Sequence, residues 1–495
     1  MNKKYGILMP VFSLPGGHGI GDFGNDAYSF ASMLAASGCS YWQILPLNTG
    51  NPENGDSPYF SVSAYALNPL LISLEMLSDD GLITETELSM IPALSPDTIN
   101  YAEVRAAKMA LLETAALRFS PTPEFQKTYE SNKQWIDNYA LFDVIRSVQK
   151  KPWPQWDMEL RNRDQKALAE FSSQYLKEIH IREVLQFFAL YQWQKLRLHC
   201  ADLQIQIIGD MPIYVALDSV DTWMNPELFK LNQDGQPQAV SGVPPDFFSE
   251  TGQLWNNPVY NWDTHANSGF TWWIQRIRHL FTLYDIVRID HFRGLVQYWE
   301  IPANESTAIN GTWKDVPTYE FFDTLIREIH PFPVICEDLG TITDDVRAAM
   351  QHYGFPGMKV LQFAFSEDNP DNPYLPENYD SNCLVYTGTH DNLPTLGWLN
   401  IIAGQRELER IAQHTGYPKC DKKEIVWSLI HLAMKSRADK AIFPLQDILT
   451  LNESARINDP SKVYDNWQWR WNNEKYPATS GLNRLKSVAN QIQES

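Results

Sequence analysis

The stretch Asp285-Ile286-Val287-Arg288-Ile289-Asp290-His291-Phe292-Arg293-Gly294 reads as a buried β-strand with chemistry at its end. Ile286, Val287 and Ile289 are apolar and β-branched, as a strand covered on both faces requires. Arg288 and Asp290 stand two positions apart and so share one face. A guanidinium beside a carboxylate lowers the acid's pKa and keeps it ionised, the condition a nucleophilic Asp needs. The same two residues also make an ordinary structural ion pair, so this segment alone does not define a site.

Seven other short apolar runs have the same form, at residues 5–11, 41–45, 204–209, 333–336, 358–363, 383–386 and 441–445. Helical periodicity separates several of them, at 27–37, 319–330, 346–353 and 424–436. Eight strands alternating with helices predict an α/β fold, a closed (β/α)8 or TIM barrel. The alternative, an open doubly wound sheet, lacks support because no G-x-G-x-x-G follows a strand.

Two intervals exceed a simple crossover. Residues 48–203 carry helical periodicity at 101–117, 125–149 and 166–199, and are expected to form a mainly helical insertion after the second strand. Residues 211–284 are rich in Pro, Gly, Asn and Trp, and are expected to be a loop-rich insertion with short helices over the barrel mouth. The barrel itself then comprises 1–47 and 204–495. About fifty residues follow the eighth strand, enough for a closing helix near 481–492 but not for a C-terminal β-sandwich domain.

The bulk numbers narrow the function. With 40 basic and 60 acidic residues the net charge is −20, which disfavours nucleic acid or an anionic membrane as partner. A neutral ligand fits that balance better. Aromatics make up 13% of the chain, with 17 Trp and 22 Tyr; core packing accounts for most single Trp, and so many still leave several as platforms for sugar rings. Cys39, Cys200, Cys336, Cys383 and Cys420 are scattered, odd in number and without metal-ligand spacing, which points to a reduced, cytoplasmic setting. The apolar start at residues 6–12 holds Pro10 and lacks a small-x-small cleavage site, so it reads as a first strand rather than a secretory signal. No run reaches 18 uninterrupted apolar residues, so no membrane span is expected.

Catalytic groups in such barrels sit at the C-terminal ends of the strands. The fifth strand ends Cys336-Glu337-Asp338-Leu339-Gly340, and a regular strand lets only one of the two acids face the mouth. Either would neighbour Asp290. Two carboxyls about 5–5.5 Å apart define a retaining glycosidase, one as nucleophile and one as acid/base. The seventh strand runs into Thr387-Gly388-Thr389-His390-Asp391-Asn392, and the third ends Gly209-Asp210-Met211-Pro212. A lone His-Asp is usually a loop hydrogen bond, and His390 without a second histidine nearby is not expected to bind metal.

These segments place the resemblance. The chain closely resembles the amylomaltases, or disproportionating enzymes, of glycoside hydrolase family 77, the 4-α-glucanotransferases. The likeness spans essentially the whole length. It is carried by Ser13-Leu14-Pro15-Gly16, Gly19-Ile20-Gly21-Asp22-Phe23-Gly24, Trp42-Gln43-Ile44-Leu45-Pro46-Leu47 and Asp56-Ser57-Pro58-Tyr59. It continues in Gly209-Asp210-Met211-Pro212-Ile213, Val243-Pro244-Pro245-Asp246 to Gly252-Gln253, Arg288-Ile289-Asp290-His291-Phe292, Glu337-Asp338-Leu339-Gly340 and Thr389-His390-Asp391-Asn392.

The resemblance implies Asp290 as nucleophile, Glu337 as acid/base and Asp391 as the acid that holds sugar hydroxyls and stabilises the transition state. It implies Arg288, His390 and Asp210 as ligands of the sugar at the cleavage point, and Tyr59 and Trp255 as contacts around the acceptor. Residues 245–255 would be a mobile loop over the cleft. No cofactor and no metal are implied. Donor and acceptor would be maltooligosaccharides or longer α-glucans, with oligomeric state left open. One segment departs: the family's Arg-Met-Asn-x-Pro-Gly-Thr and Gly-Asn-Trp read here Arg456-Ile457-Asn458-Asp459-Pro460-Ser461-Lys462 and Asp465-Asn466-Trp467. The rival readings are a hydrolase of the α-amylase or α-glucosidase type and a catalytically dead glucan-binding protein. The second requires a missing acid, whereas Asp290, Glu337 and Asp391 are all present.

Overall fold

In the computed structural model, which describes residues 3–245, 249–416 and 421–494, all eight apolar runs lie in one parallel sheet. The strands are β1 (Lys4–Leu8), β2 (Tyr41–Gln43), β3 (Gln206–Met211) and β4 (Ile286–Ile289). They continue with β5 (Val334–Cys336), β6 (Gly357–Val360), β7 (Cys383–Tyr386) and β8 (Lys440–Pro444). Neighbours pair in the order β6-β7-β8-β1-β2-β3-β4-β5, which curls round until β5 meets β6. There the Cys336 N–H donates to the Pro356 carbonyl at 2.9 Å. The next link is a side chain: the Met358 N–H donates to Asp338 Oδ1 at 2.6 Å. Gly357 leaves room for that carboxylate, since an added Cβ would sit 2.6 Å from Asp338 Oδ2.

Side-chain alternation sorts each strand into two faces. Leu8, Tyr41, Ile208, Ile335, Leu384, Tyr386 and Ile442 form a single buried cluster inside the barrel. Their neighbours Ile7, Trp42, Ile207, Cys336, Val385 and Phe443 instead join the larger core under the helices. The inward parity of Ile208 carries on to Asp210, that of Ile286 to Arg288 and Asp290, and that of Ile335 to Glu337. Asp338 has the outward parity, which is why it reaches the seam.

Between β2 and β3 the chain is helical, with long helices at Tyr101–Arg118, Pro123–Gln149 and Leu176–Asp202. Thr122 caps the second of these through the Phe125 N–H, with Pro123 in its first turn. The periodicity over 166–199 resolves into two helices, Gln165–Gln174 and Leu176–Asp202, broken at Tyr175.

Between β3 and β4 the structure differs from the expected loops and short helices. Ala239–Val243 and Gln253–Pro258 pair antiparallel, and Gln297–Pro302 and Thr312–Asp315 extend them into a four-stranded sheet. Ala239–Val243 is mostly buried but interrupted by Ser241 and Gly242, and the other three strands are partly exposed, so the sequence shows neither a continuous apolar run nor a clean alternation. The helix Thr271–Leu283 then leads into β4. After β8 come a short helix, Leu445–Ile448, and a final helix, Ala478–Glu494, which buries Leu482, Leu485 and Ala489. Asp246 and Cys420 lie outside the described residues, as do residues 246–248 of the expected loop at 245–255.

Candidate active site

The strand ends converge on one mouth. On β4, Arg288 donates from Nη1 to both oxygens of Asp210, at 2.8 and 2.7 Å, and its Nη2 lies 2.9 Å from Asp290 Oδ1. Arg288 and Asp210 are buried, their charges paired on the barrel floor. The Tyr59 hydroxyl donates to Asp210 Oδ2 at 2.7 Å and lies 3.0 Å from His390 Nε2. The Tyr59 and His390 rings stack, 5.5 Å between centroids and 15° apart. His390 Nε2 also lies 3.3 Å from Asp391 Oδ1. Seven of the eight site residues expected from sequence thus gather here: six in a continuous chain of contacts from Asp290 to Asp391, and Glu337 beside Asp290.

Glu337 enters from the next strand. Ile289 and Cys336 are register partners, and the Glu337 N–H donates to the Ile289 carbonyl at 3.0 Å, so Asp290 and Glu337 are cross-strand neighbours. Adjacent strands lie about 4.8 Å apart. Both Glu337 oxygens are held by backbone: the His291 N–H donates to Oε2 at 2.9 Å and the Leu339 N–H to Oε1 at 2.7 Å. His291 reaches this position with φ of 51°, the left-handed region a non-glycine residue rarely adopts. Trp255, the eighth residue, is half-buried and joins through His291, whose ring meets its edge at 4.8 Å and 85°.

Burial pushes Glu337 up to about 7, with Asp338 adding to the shift and Arg288 and the backbone N–H groups opposing it. For Asp290, burial together with Asp210, Glu337 and Asp391 outweighs Arg288 and pushes the acid up to about 8. This corrects the local expectation of a lowered Asp290: the guanidinium pulls down as expected, but three nearby acids and desolvation pull harder. Two neighbouring carboxyls so arranged hold one proton between them near neutral pH. Arg288, 2.9 Å from Asp290 Oδ1, opposes the rise at Asp290. Burial lowers His390 and His291, so both rings are neutral.

Other functional residues escaped the sequence reading. Asn458 Nδ2 donates to Asp391 Oδ1 at 2.6 Å, and Arg456 Nη2 to the Asp391 carbonyl at 3.0 Å. Trp467 lies 5.6 Å from the Tyr59 ring and 6.1 Å from His390. All three belong to the segment that departs from the family pattern. The alternating Arg456-Ile457-Asn458 was the available signal, a buried Ile between two polar residues.

A (β/α)8 barrel with acids, an arginine and aromatic rings converging at its strand ends is the architecture of a barrel enzyme. The chain matches the model of the 4-alpha-glucanotransferases over residues 9–475. It is 41% identical to a 4-alpha-glucanotransferase of Thermus thermophilus over 479 residues, 94% of each chain. It is 40% identical to one of Streptococcus pneumoniae over 503 residues, covering all of this chain and 98% of the other. Among solved structures, the amylomaltase of Streptococcus agalactiae in complex with acarbose superposes with a TM-score of 0.94 at 36% identity, over 99% of both chains. The protein belongs to the 4-alpha-glucanotransferases, glycoside hydrolase family 77, and is an enzyme of that activity.

Proposed function

We propose that the enzyme moves a segment of an α-1,4-glucan to the 4-hydroxyl of another glucan or of glucose, with retention, through a glucosyl-enzyme on Asp290. The observation that carries this reading is the cross-strand pair of Asp290 and Glu337, both inward, with Arg288 on the first. Asp290 Oδ attacks the anomeric carbon while the Glu337 proton passes to the departing glycosidic oxygen, so one C–O bond forms as the other breaks. The acceptor's 4-hydroxyl then gives its proton to Glu337 as its oxygen takes the anomeric carbon from Asp290. Asp391, Arg288, His390 and Asp210 hold the hydroxyls of the sugar at the cleavage point, and Tyr59 and Trp255 contact the sugar on the acceptor side.

Transfer outruns hydrolysis when the acceptor site holds a sugar and excludes water, a task for the rings of Trp255, Tyr59 and Trp467. The four described cysteines are free and buried, in keeping with a reducing compartment, and this reading puts the enzyme in the cytoplasm. Incubation with maltotriose tests it. Glucose together with sugars longer than maltotriose is the expected product pattern. Shorter sugars alone would identify a hydrolase instead.

A further inference from the structure

The catalytic mouth uses only part of the chain's aromatic excess. A second cavity, of about 760 Å³, lies between the insertion helix Pro123–Gln149, the short helix Val220–Met224 and the helix Thr271–Leu283. None of the mouth residues lines it. Its volume falls in the roughly 300–1,000 Å³ range of small-molecule sites.

Its rings are fixed in advance. Tyr65 and Trp135, both half-buried, stack at 6.2 Å and 24°, and His279 packs 5.0 Å from the first and 5.3 Å from the second. The His279 ring lies 3.0 Å from the Tyr65 carbonyl, and the Trp135 indole N–H donates to Asn132 Oδ1 at 2.9 Å. Beside the rings, the side-chain amides of Asn138 and Gln275 line the cavity with no hydrogen bond among the described residues.

The charges exclude an anion. Lys133 is within 3.7 Å of Asp137, and Arg278 within 3.3 Å of Glu328, while Glu130 and Asp221 add negative charge to the lining. A ligand that suits flat rings and unused amides without net charge is a neutral polyol, with an apolar C–H face and a rim of hydroxyls. We propose that this groove is a second, non-catalytic binding site for α-1,4-glucan, holding a stretch of chain remote from the bond being transferred. The proposal rests on the glucan-transfer reading above. A long chain held at both places binds the mouth at raised effective concentration, an advantage that a trisaccharide held at one place does not have.

The test compares Trp135→Ala, and separately the milder double variant Tyr65→Phe with Asn138→Ala, on long-chain amylose and on maltotriose. Loss of a stacking platform in Trp135→Ala should raise KM for amylose by about fivefold to tenfold, and loss of a hydroxyl and an amide in the double variant by more than about twofold, while KM and kcat on maltotriose stay at the unaltered values. The same variants should migrate faster than the unaltered protein in an amylose-containing native gel. That readout needs no turnover, so it stands even if the unaltered enzyme fails to disproportionate maltotriose, which would sink the transfer reading alone. Amylose KM within twofold of the original in both variants with unchanged gel mobility would overturn the groove proposal. So would KM rising equally on both substrates.

Discussion

Asn458 donates its amide N–H to Asp391 at 2.6 Å, tying the loop after β8 to the acid after β7. With Arg456 gripping the Asp391 carbonyl, the contact fixes the carboxylate beside His390. Asn458→Ala should therefore lower kcat by roughly tenfold to a hundredfold with a smaller change in KM, since a loosened acid hurts the transition state most. Steady-state kinetics on maltotriose decide it. An unchanged kcat would show that Asp391 holds its position unaided.

Asp290→Asn removes the nucleophile's charge and almost nothing of its volume. Transfer should fall by at least about 10³-fold while the circular dichroism spectrum stays that of the unaltered protein. Near-normal turnover in this variant would refute the assignment of Asp290.

Glu337→Gln should be far more damaging on maltooligosaccharides than on α-glucosyl fluoride, whose leaving group departs without a proton. Its second step lacks a base, so a glucosyl adduct on Asp290 should accumulate and add one glucosyl mass to the intact protein. Asp338→Asn is the internal control, because Asp338 faces the β5–β6 seam. Trapping by Asp338→Asn instead would reverse the two roles. Asp338→Ala, which strips the Met358 N–H of its acceptor, should cost about 1–3 kcal/mol in stability and lower the melting temperature.

Activity should trace a bell against pH, because the productive pair carries one proton. Burial raises both acids, helped by Asp210, Glu337 and Asp391 at Asp290 and by Asp338 at Glu337, to about 8 and about 7, so the maximum should lie near neutral pH. Asp210 contributes a raising charge to Asp290. Asp210→Asn removes it and frees Arg288, so the alkaline limb should move to lower pH as overall activity falls. A limb that moves upward would contradict this electrostatic account.

Chelation should leave transfer untouched, because every step is assigned to acids, one arginine and neutral histidines. Loss of activity in a chelator, restored by a divalent ion, is the contrary result.

The sequence by itself determined the eight strands and the strand-end acids. Continuous apolar runs such as Val334-Ile335-Cys336 are what strands buried on both faces need, and that signal is local. The same property hid the orientation. An all-apolar run carries no parity, so only packing, with Ile335 inside the barrel and Cys336 under the helices, decides that Glu337 faces the mouth and Asp338 the seam. The antiparallel sheet of Ala239–Val243, Gln253–Pro258, Gln297–Pro302 and Thr312–Asp315 was equally illegible, since its pairing joins segments on either side of β4 and three of its four strands are partly exposed. Likewise, Arg288 beside Asp290 could be read from spacing alone, but the raised Asp290 could not. Its net shift sums desolvation and the charges of Asp210, Glu337 and Asp391, which come from three other strands. Spacing along one strand fixes which residues share a face; closing the barrel fixes which charges share a site.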